Sequence, residues 1–212
     1  GAIGGIQNAG SIQGGEGSLY LENTISGFIV DNSGTLDGYV SLGINTLNLN
    51  GPSSRVIGTT FGQNESIVNV NGTFTSEGRF RVGEFNVAST GVFNQNHGVT
   101  ATGGVSNDGV WNVGEGHRTI TGDFGQSASG TLRLALSDAS TYGSLNVSGV
   151  ATVADASKVF VNVTGSPTLV NGSTIAGVLT AGDTLTVNAS TLAVNVDVPL
   201  VTSPSTTGPS DR

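Results

Sequence analysis

His97 and His117 are the two imidazoles of a 212-residue chain that has no cysteine. Thiolate catalysis and a cysteine-built zinc site are therefore excluded. Each histidine lies in an Asn/Gly context that reads as a turn. A Ser-His-Asp device is defined by geometry, and the sequence places none of the many serines beside either ring. Glu115 and Asp123 flank His117 and could belong to a fragment of a site, but no G-x-S-x-G elbow is present and Asp123 follows a Gly without a partner motif. Exposed loop residues are the expected role of all three. The stretch Gly14-Gly15-Glu16-Gly17-Ser18-Leu19-Tyr20 opens like a calcium-binding nonapeptide. It carries Leu19 where a ligand Asp belongs and does not recur. No catalytic, cofactor-binding or metal-ligating residue is assigned, and a noncatalytic chain is expected.

Charge narrows the partners. The net charge is −8 with seven Lys plus Arg, which excludes the basic clusters of a nucleic-acid surface. It also disfavours attraction to an anionic membrane, and the acidity reads as solubility. No apolar run approaches the roughly 20 residues of a membrane helix, so no direct membrane insertion is expected. The chain starts inside repeat-like sequence, as a piece of a longer protein would. Gly is abundant at 34 residues, but regularly placed Val, Leu, Ile and Phe interrupt it, so order is expected rather than disorder.

The elements that must carry these residues are short strands. One phrase recurs: Glu77-Gly78-Arg79-Phe80-Arg81-Val82, Thr90-Gly91-Val92-Phe93, Asp108-Gly109-Val110-Trp111, Ser129-Gly130-Thr131-Leu132 and Tyr142-Gly143-Ser144-Leu145. The Gly reads as a turn residue with positive φ. The apolar residues at every second position read as one strand face. Earlier copies lie at Gly17, Gly34, Ser66 and Asn45, the last with Asn as the left-handed residue. The anchors are 11 to 21 residues apart, as in a β-solenoid whose corners carry loops of varied length. At roughly 20 residues per rung, six or seven rungs fit between 17 and 147. Phe80, Phe93, Trp111 and Leu132 occupy equivalent places and should stack in internal columns rather than form a sugar-binding track. Thr-x-Thr pairs at Thr73/Thr75, Thr100/Thr102, Thr119/Thr121 and Thr184/Thr186 are too irregular for an ice-binding array and fit strand propensity.

From about Ser144 the texture becomes Val-rich and cleanly alternating, at Val159, Val161 and Val163 and again at Leu192, Val194 and Val196. This reads as antiparallel hairpins that cover the open end of a solenoid. The expected architecture is all-β: a right-handed parallel β-helix over residues 1–143, a hairpin or sandwich-like C-terminal cap over 144–198, and a Pro/Ser/Thr linker tail over 199–212.

The stretch Thr121-Gly122-Asp123-Phe124-Gly125-Gln126-Ser127-Ala128-Ser129-Gly130-Thr131-Leu132-Arg133-Leu134 resembles the C-terminal end of autotransporter passenger domains of the pertactin and AIDA-like type. Tyr142, Leu145, Val147, Gly149 and Ala151 match a second phrase of that family, and Thr184-Leu185-Thr186-Val187 looks like its late segments. The resemblance implies a bacterial surface or secreted protein, outside the cell, whose C-terminal segment is an autochaperone that folds first and templates the remaining rungs. It implies the protein's own outer-membrane β-barrel translocator as partner, together with a host-surface receptor or self-association. The folding core would be Phe124, Leu132, Leu134, Leu145, Val147, Val161 and Val163. The expected function is that of a noncatalytic passenger fragment for surface display, in an adhesin or virulence factor. The alternative is a carbohydrate-binding or carbohydrate-active β-helix. Against an enzyme of that kind, the acidic residues are singletons at Asp31, Asp37, Glu65, Glu77 and Glu84, whereas β-helix lyases cluster carboxylates around calcium.

Overall fold

Alternating apolar residues and frequent Gly lay the chain down as short parallel strands, and the computed structural model describes them over residues 4–21, 27–163, 174–187 and 193–197. The described residues contain strands and no helix, stacked as a β-solenoid. Each turn has three faces. The first carries Gly5–Asn8, Ile29–Asn32, Thr46–Leu49, Ile67–Val70, residues 84–87 and 104–107, Phe124–Gln126, Ala151–Val153 and Leu185–Val187. The second carries 11–13, 35–37 and Arg55–Ile57, then Thr73–Thr75, Val92–Gln95, Val110–Val113, Thr131–Leu136, Lys158–Val163 and Ala193–Asp197. The third carries 39–43, Thr60–Gly62, 80–82, 99–101, Gly116–Thr121, Gly143–Val147 and Leu179–Ala181. The chain visits the faces in that order, making about six turns between Ile29 and Val147.

The Val-rich strands are not antiparallel hairpins. Gly143–Val147, Ala151–Val153, Lys158–Val163, Leu179–Ala181 and Leu185–Val187 each pair parallel with the strand one turn before. Among the described residues one isolated antiparallel bridge, Leu136 to Tyr142, closes a local turn. Apolar alternation has the same period in parallel and antiparallel strands, so it could not separate the two. The turn at 154–157, with Ala156 at φ 63°, redirects the chain to the next face instead of reversing it. The linker tail expected over 199–212 lies outside the described residues.

The core is built in columns. Phe74, Phe93, Trp111 and Leu132 are register partners on the second face and are fully buried. Phe93 and Trp111 meet edge to face with ring centres 4.6 Å apart. Phe80 does not belong to that column. It sits on the third face between Thr60 and Val99, and reaches the aromatic cluster through Phe74 and Phe85. The phrase occurs at two different corners of the turn, which sequence spacing alone cannot distinguish.

The phrase glycines have another purpose than the one expected. Gly91 and Gly109 lie outside the positive-φ region. A Cβ on Gly109 would intrude on the carbonyl oxygens of Ala88 and Gly91, so close stacking of successive corners demands Gly there. Positive φ is confined to other corners, such as Gly58 at 117° and Gly122 at 123°. Nor is Asn45 left-handed: its buried amide donates to the Leu42 carbonyl and accepts from Phe28 N–H, tying two strands at a corner.

Candidate functional site

Both histidines find a serine. His117 lies on the third-face strand Gly116–Thr121, not in a loop, in register with Ser144 one turn on. Its Nδ1 is 2.6 Å from Ser144 Oγ. His97 Nδ1 lies 3.1 Å from the Ser76 carbonyl, and its backbone N–H donates to Ser76 Oγ. Sequence reasoning missed both pairs because parallel stacking brings together residues one turn apart. Neither pair extends to a triad. The Glu115 carboxylate accepts from the Ser137 hydroxyl, and Asp123 Oδ1 accepts from Val150 N–H. Ser144 is only 4% exposed, so its hydroxyl has no approach for an incoming electrophile. The chemistry this arrangement performs is hydrogen bonding between rungs.

Among the described residues no three His, Asp or Glu side chains form a group that could hold a metal ion, and no helix could cross a membrane. The Thr-x-Thr pairs fall on different faces: Thr73/Thr75 on the second, Thr119/Thr121 on the third, and Thr186 on the first. Among the proposed folding-core residues, Phe124, Leu132, Leu134, Leu145, Val147 and Val163 are buried, and Val161 is half-buried.

Amide ladders run along the solenoid. On the outside of the first face Asn48 donates to Asp31, Asn69 to Asn48, Asn86 to Asn69, and the Ser106 hydroxyl to Asn86, at 2.7–3.2 Å. On the second face Asn112 donates to Asn94 at 2.7 Å and Asn94 to Thr75 at 3.0 Å. Inside, Asn107 donates to Gln126 Oε1 and to the Thr131 carbonyl, and Gln126 donates to the Lys158 carbonyl. Gln95, fully buried, accepts the Trp111 indole N–H at 3.0 Å and donates to the carbonyls of His97 and Thr119. The inner amides Gln95, Asn107 and Gln126 give buried carbonyls and the Trp111 indole a partner that the strand ladder does not supply. The signal was present in the sequence as Asn at matching positions of successive rungs.

Two of the concave regions among the described residues stand out. One is an apolar cavity of about 350 Å³ inside the C-terminal rungs, lined by Leu132, Leu134, Val153, Val159, Val161 and Val187 among others. The other is an open cleft of about 680 Å³ on the third face, where Phe61, Asn64, Arg81, Thr100, Thr102 and Thr121 converge. Arg79 and Thr119 border the same face beside Arg81. In the sequence Arg79 and Arg81 stand out only as members of the repeated phrase Glu77-Gly78-Arg79-Phe80-Arg81-Val82. Comparison of the chain with models of known families, with curated proteins and with solved structures finds no match to any of them.

Proposed function

We propose that this chain is the C-terminal β-helix end of an autotransporter passenger, a noncatalytic segment for secretion-coupled folding and surface display of an adhesin or virulence factor. Its partner in that reading is the protein's own outer-membrane β-barrel, and its place is outside the cell. The observation that carries the reading is the position of the motif residues. Phe124, Leu132, Leu134, Leu145 and Val147 are all buried on the three faces of one turn toward the C-terminal end of the parallel stack. A rung formed there offers the next one a row of backbone N–H and C=O groups together with an apolar column, so folding can propagate by addition.

The decisive experiment removes residues 144–198. Loss of cooperative folding of the upstream rungs, measured by denaturant unfolding, is the expected result. Cooperative unfolding of the truncated chain with unchanged stability would sink the autochaperone role. Display is tested separately, by joining the chain to an outer-membrane β-barrel and probing whole cells with protease. The reading expects the chain to be cleaved from outside.

A further inference from the structure

We propose that the third-face cleft binds an acidic oligosaccharide, a glycan carrying carboxylate or sulfate groups. The starting observation is a pair of unengaged guanidinium groups. Arg55 is held by Glu77, Arg118 donates to the Gln95 carbonyl, and Arg133 lies over the Phe160 ring. Arg79 and Arg81, by contrast, are exposed and have neither an acid within ion-pair distance nor a side-chain hydrogen bond among the described residues. Arg81 lies on the strand Phe80–Val87 and Arg79 immediately before its start, and both line one shallow depression with Thr100, Thr119 and Thr121. Arg81 lines the cleft itself and Arg79 the adjoining depression that shares Arg81, Thr100 and Thr121 with it, so in a chain of net charge −8 two unpaired cations border one continuous concave strip, a local site for an anion.

The surroundings define the rest of the ligand. Phe61 is the register partner of Arg81 one turn before, and is 42% exposed. Its ring offers an electron-rich face to the C–H groups of a sugar. Thr100 and Thr121 continue the same outward row on the next two turns. Thr102 bridges to Asn64 across the cleft at 3.1 Å, leaving hydroxyls and amides along the wall. Glu65 lines the cleft together with Arg81, and Arg79 adds the second guanidinium from the adjoining depression, which has no carboxylate in its lining. A stacking ring, hydroxyl and amide partners, and a cation suit a polyhydroxylated, negatively charged chain laid along the solenoid axis. An acidic peptide fits less well. Phe80 and Arg81 are paired on both sides, so Arg81 stands on no free strand edge for backbone addition. Apart from Phe61 the cleft exposes no large apolar side chain to seat a peptide's anchors.

The site does not depend on the passenger reading, and either can fail alone. The test is calorimetric titration of the full chain with a galacturonic acid oligomer, a sulfated heparin-derived oligosaccharide, a neutral cello-oligosaccharide and a polyglutamate peptide. Binding of the uronate or the sulfated probe is expected, and which of them binds more tightly identifies the anionic group. The neutral probe should bind at least about tenfold more weakly, since hydrogen bonds to charged groups are the strong ones. Added salt should weaken binding. Arg81→Gln and Phe61→Ala should each lower affinity by about tenfold or more, whereas Arg133→Gln, on the second face, should leave it unchanged. All three positions are on the outer surface, and a melting curve checks that each variant folds. Absence of binding by both acidic saccharides at millimolar concentration would overturn the proposal. So would wild-type affinity in Arg81→Gln and Phe61→Ala, or polyglutamate binding as tightly as the saccharides.

Discussion

The middle and the C-terminal end of this solenoid share one backbone plan and differ in what fills it. Between Phe74 and Phe124 the interior holds Phe74, Phe80, Phe85, Phe93, Trp111 and Phe124, all buried and in mutual ring contact. From Gly143 onward the same positions hold Leu and Val around a cavity of about 350 Å³, and Leu185 is 44% exposed. Parallel hydrogen bonding is thus indifferent to core composition, while packing is not. The family-like phrases begin at the last ring of the aromatic interior, Phe124, and run on into the looser end. A C-terminal segment that templates folding must therefore act by presenting a strand edge and a column early, not by being the most stable part.

The sharpest break of this contrast comes from the aromatic column. Trp111→Ala should cost about 3–5 kcal/mol from the lost ring and its cavity, and it also strips Gln95 Oε1 of its donor. Val153→Ala, buried at the C-terminal end, should cost only about 1.6 kcal/mol, the value of two methylene groups. Equal losses in denaturant unfolding would erase the distinction between the regions.

Added volume tests the same point with opposite signs. Val161→Ile points an extra methylene at the cavity and should gain roughly 0.8 kcal/mol. Val105→Ile, stacked between Phe85 and Phe124, should instead lose about 1–3 kcal/mol through overpacking. Gly109→Ala belongs with the second group. Its new Cβ meets the carbonyl oxygens of Ala88 and Gly91, for a loss of about 1–3 kcal/mol. Gly114→Ala has open space around it and should be close to neutral.

The inner and outer amide ladders separate by a smaller margin. Asn107→Ala leaves buried Gln126 Oε1 without its donor and should cost about 1–3 kcal/mol. Asn69→Ala interrupts an outer ladder that water can replace, and should cost about 1 kcal/mol or less.

These differences also mark what could be read from the sequence. The strand faces were legible, since a period of two is visible at Val92-Phe93-Asn94-Gln95 and Val110-Trp111-Asn112-Val113, and these do stack. Varied corner loops explained the irregular spacing. Strand direction was not legible, because Val159, Val161 and Val163 alternate identically in either orientation. The placement of Phe80 failed because its Gly-x-Phe phrase matches that of Phe93 while sitting at another corner. The cleft was invisible for a different reason. Phe61, Arg81, Thr100 and Thr121 are each one turn apart, and nothing local links them until the register is known.

The smallest effect concerns acid. In the upstream body Glu77 accepts two hydrogen bonds from Arg55 at 2.8 Å, and this pairing holds its carboxyl below the ordinary value of 4.5. In the C-terminal half Asp138 is held below 3.8, first by the Ser140 hydroxyl and then by the backbone N–H groups of Ser140 and Thr141. Both folded-state values are depressed, so each group's contribution is present above its unfolded value and is lost as pH falls through the folded one. The Arg55 pair is solvent-exposed and screened, so its share is small. Asp138 instead secures a turn whose neighbours line the cavity, at Leu136 and Tyr142. Acidification from pH 5 toward pH 3, a window set by ordinary carboxylate values of about 4, should therefore raise amide exchange in the 137–142 turn before it affects the aromatic rungs. Asp138→Asn should remove that local response, and Glu77→Gln should leave it in place. Uniform loss of protection along the chain would instead mean that the two ends respond to acid as one unit.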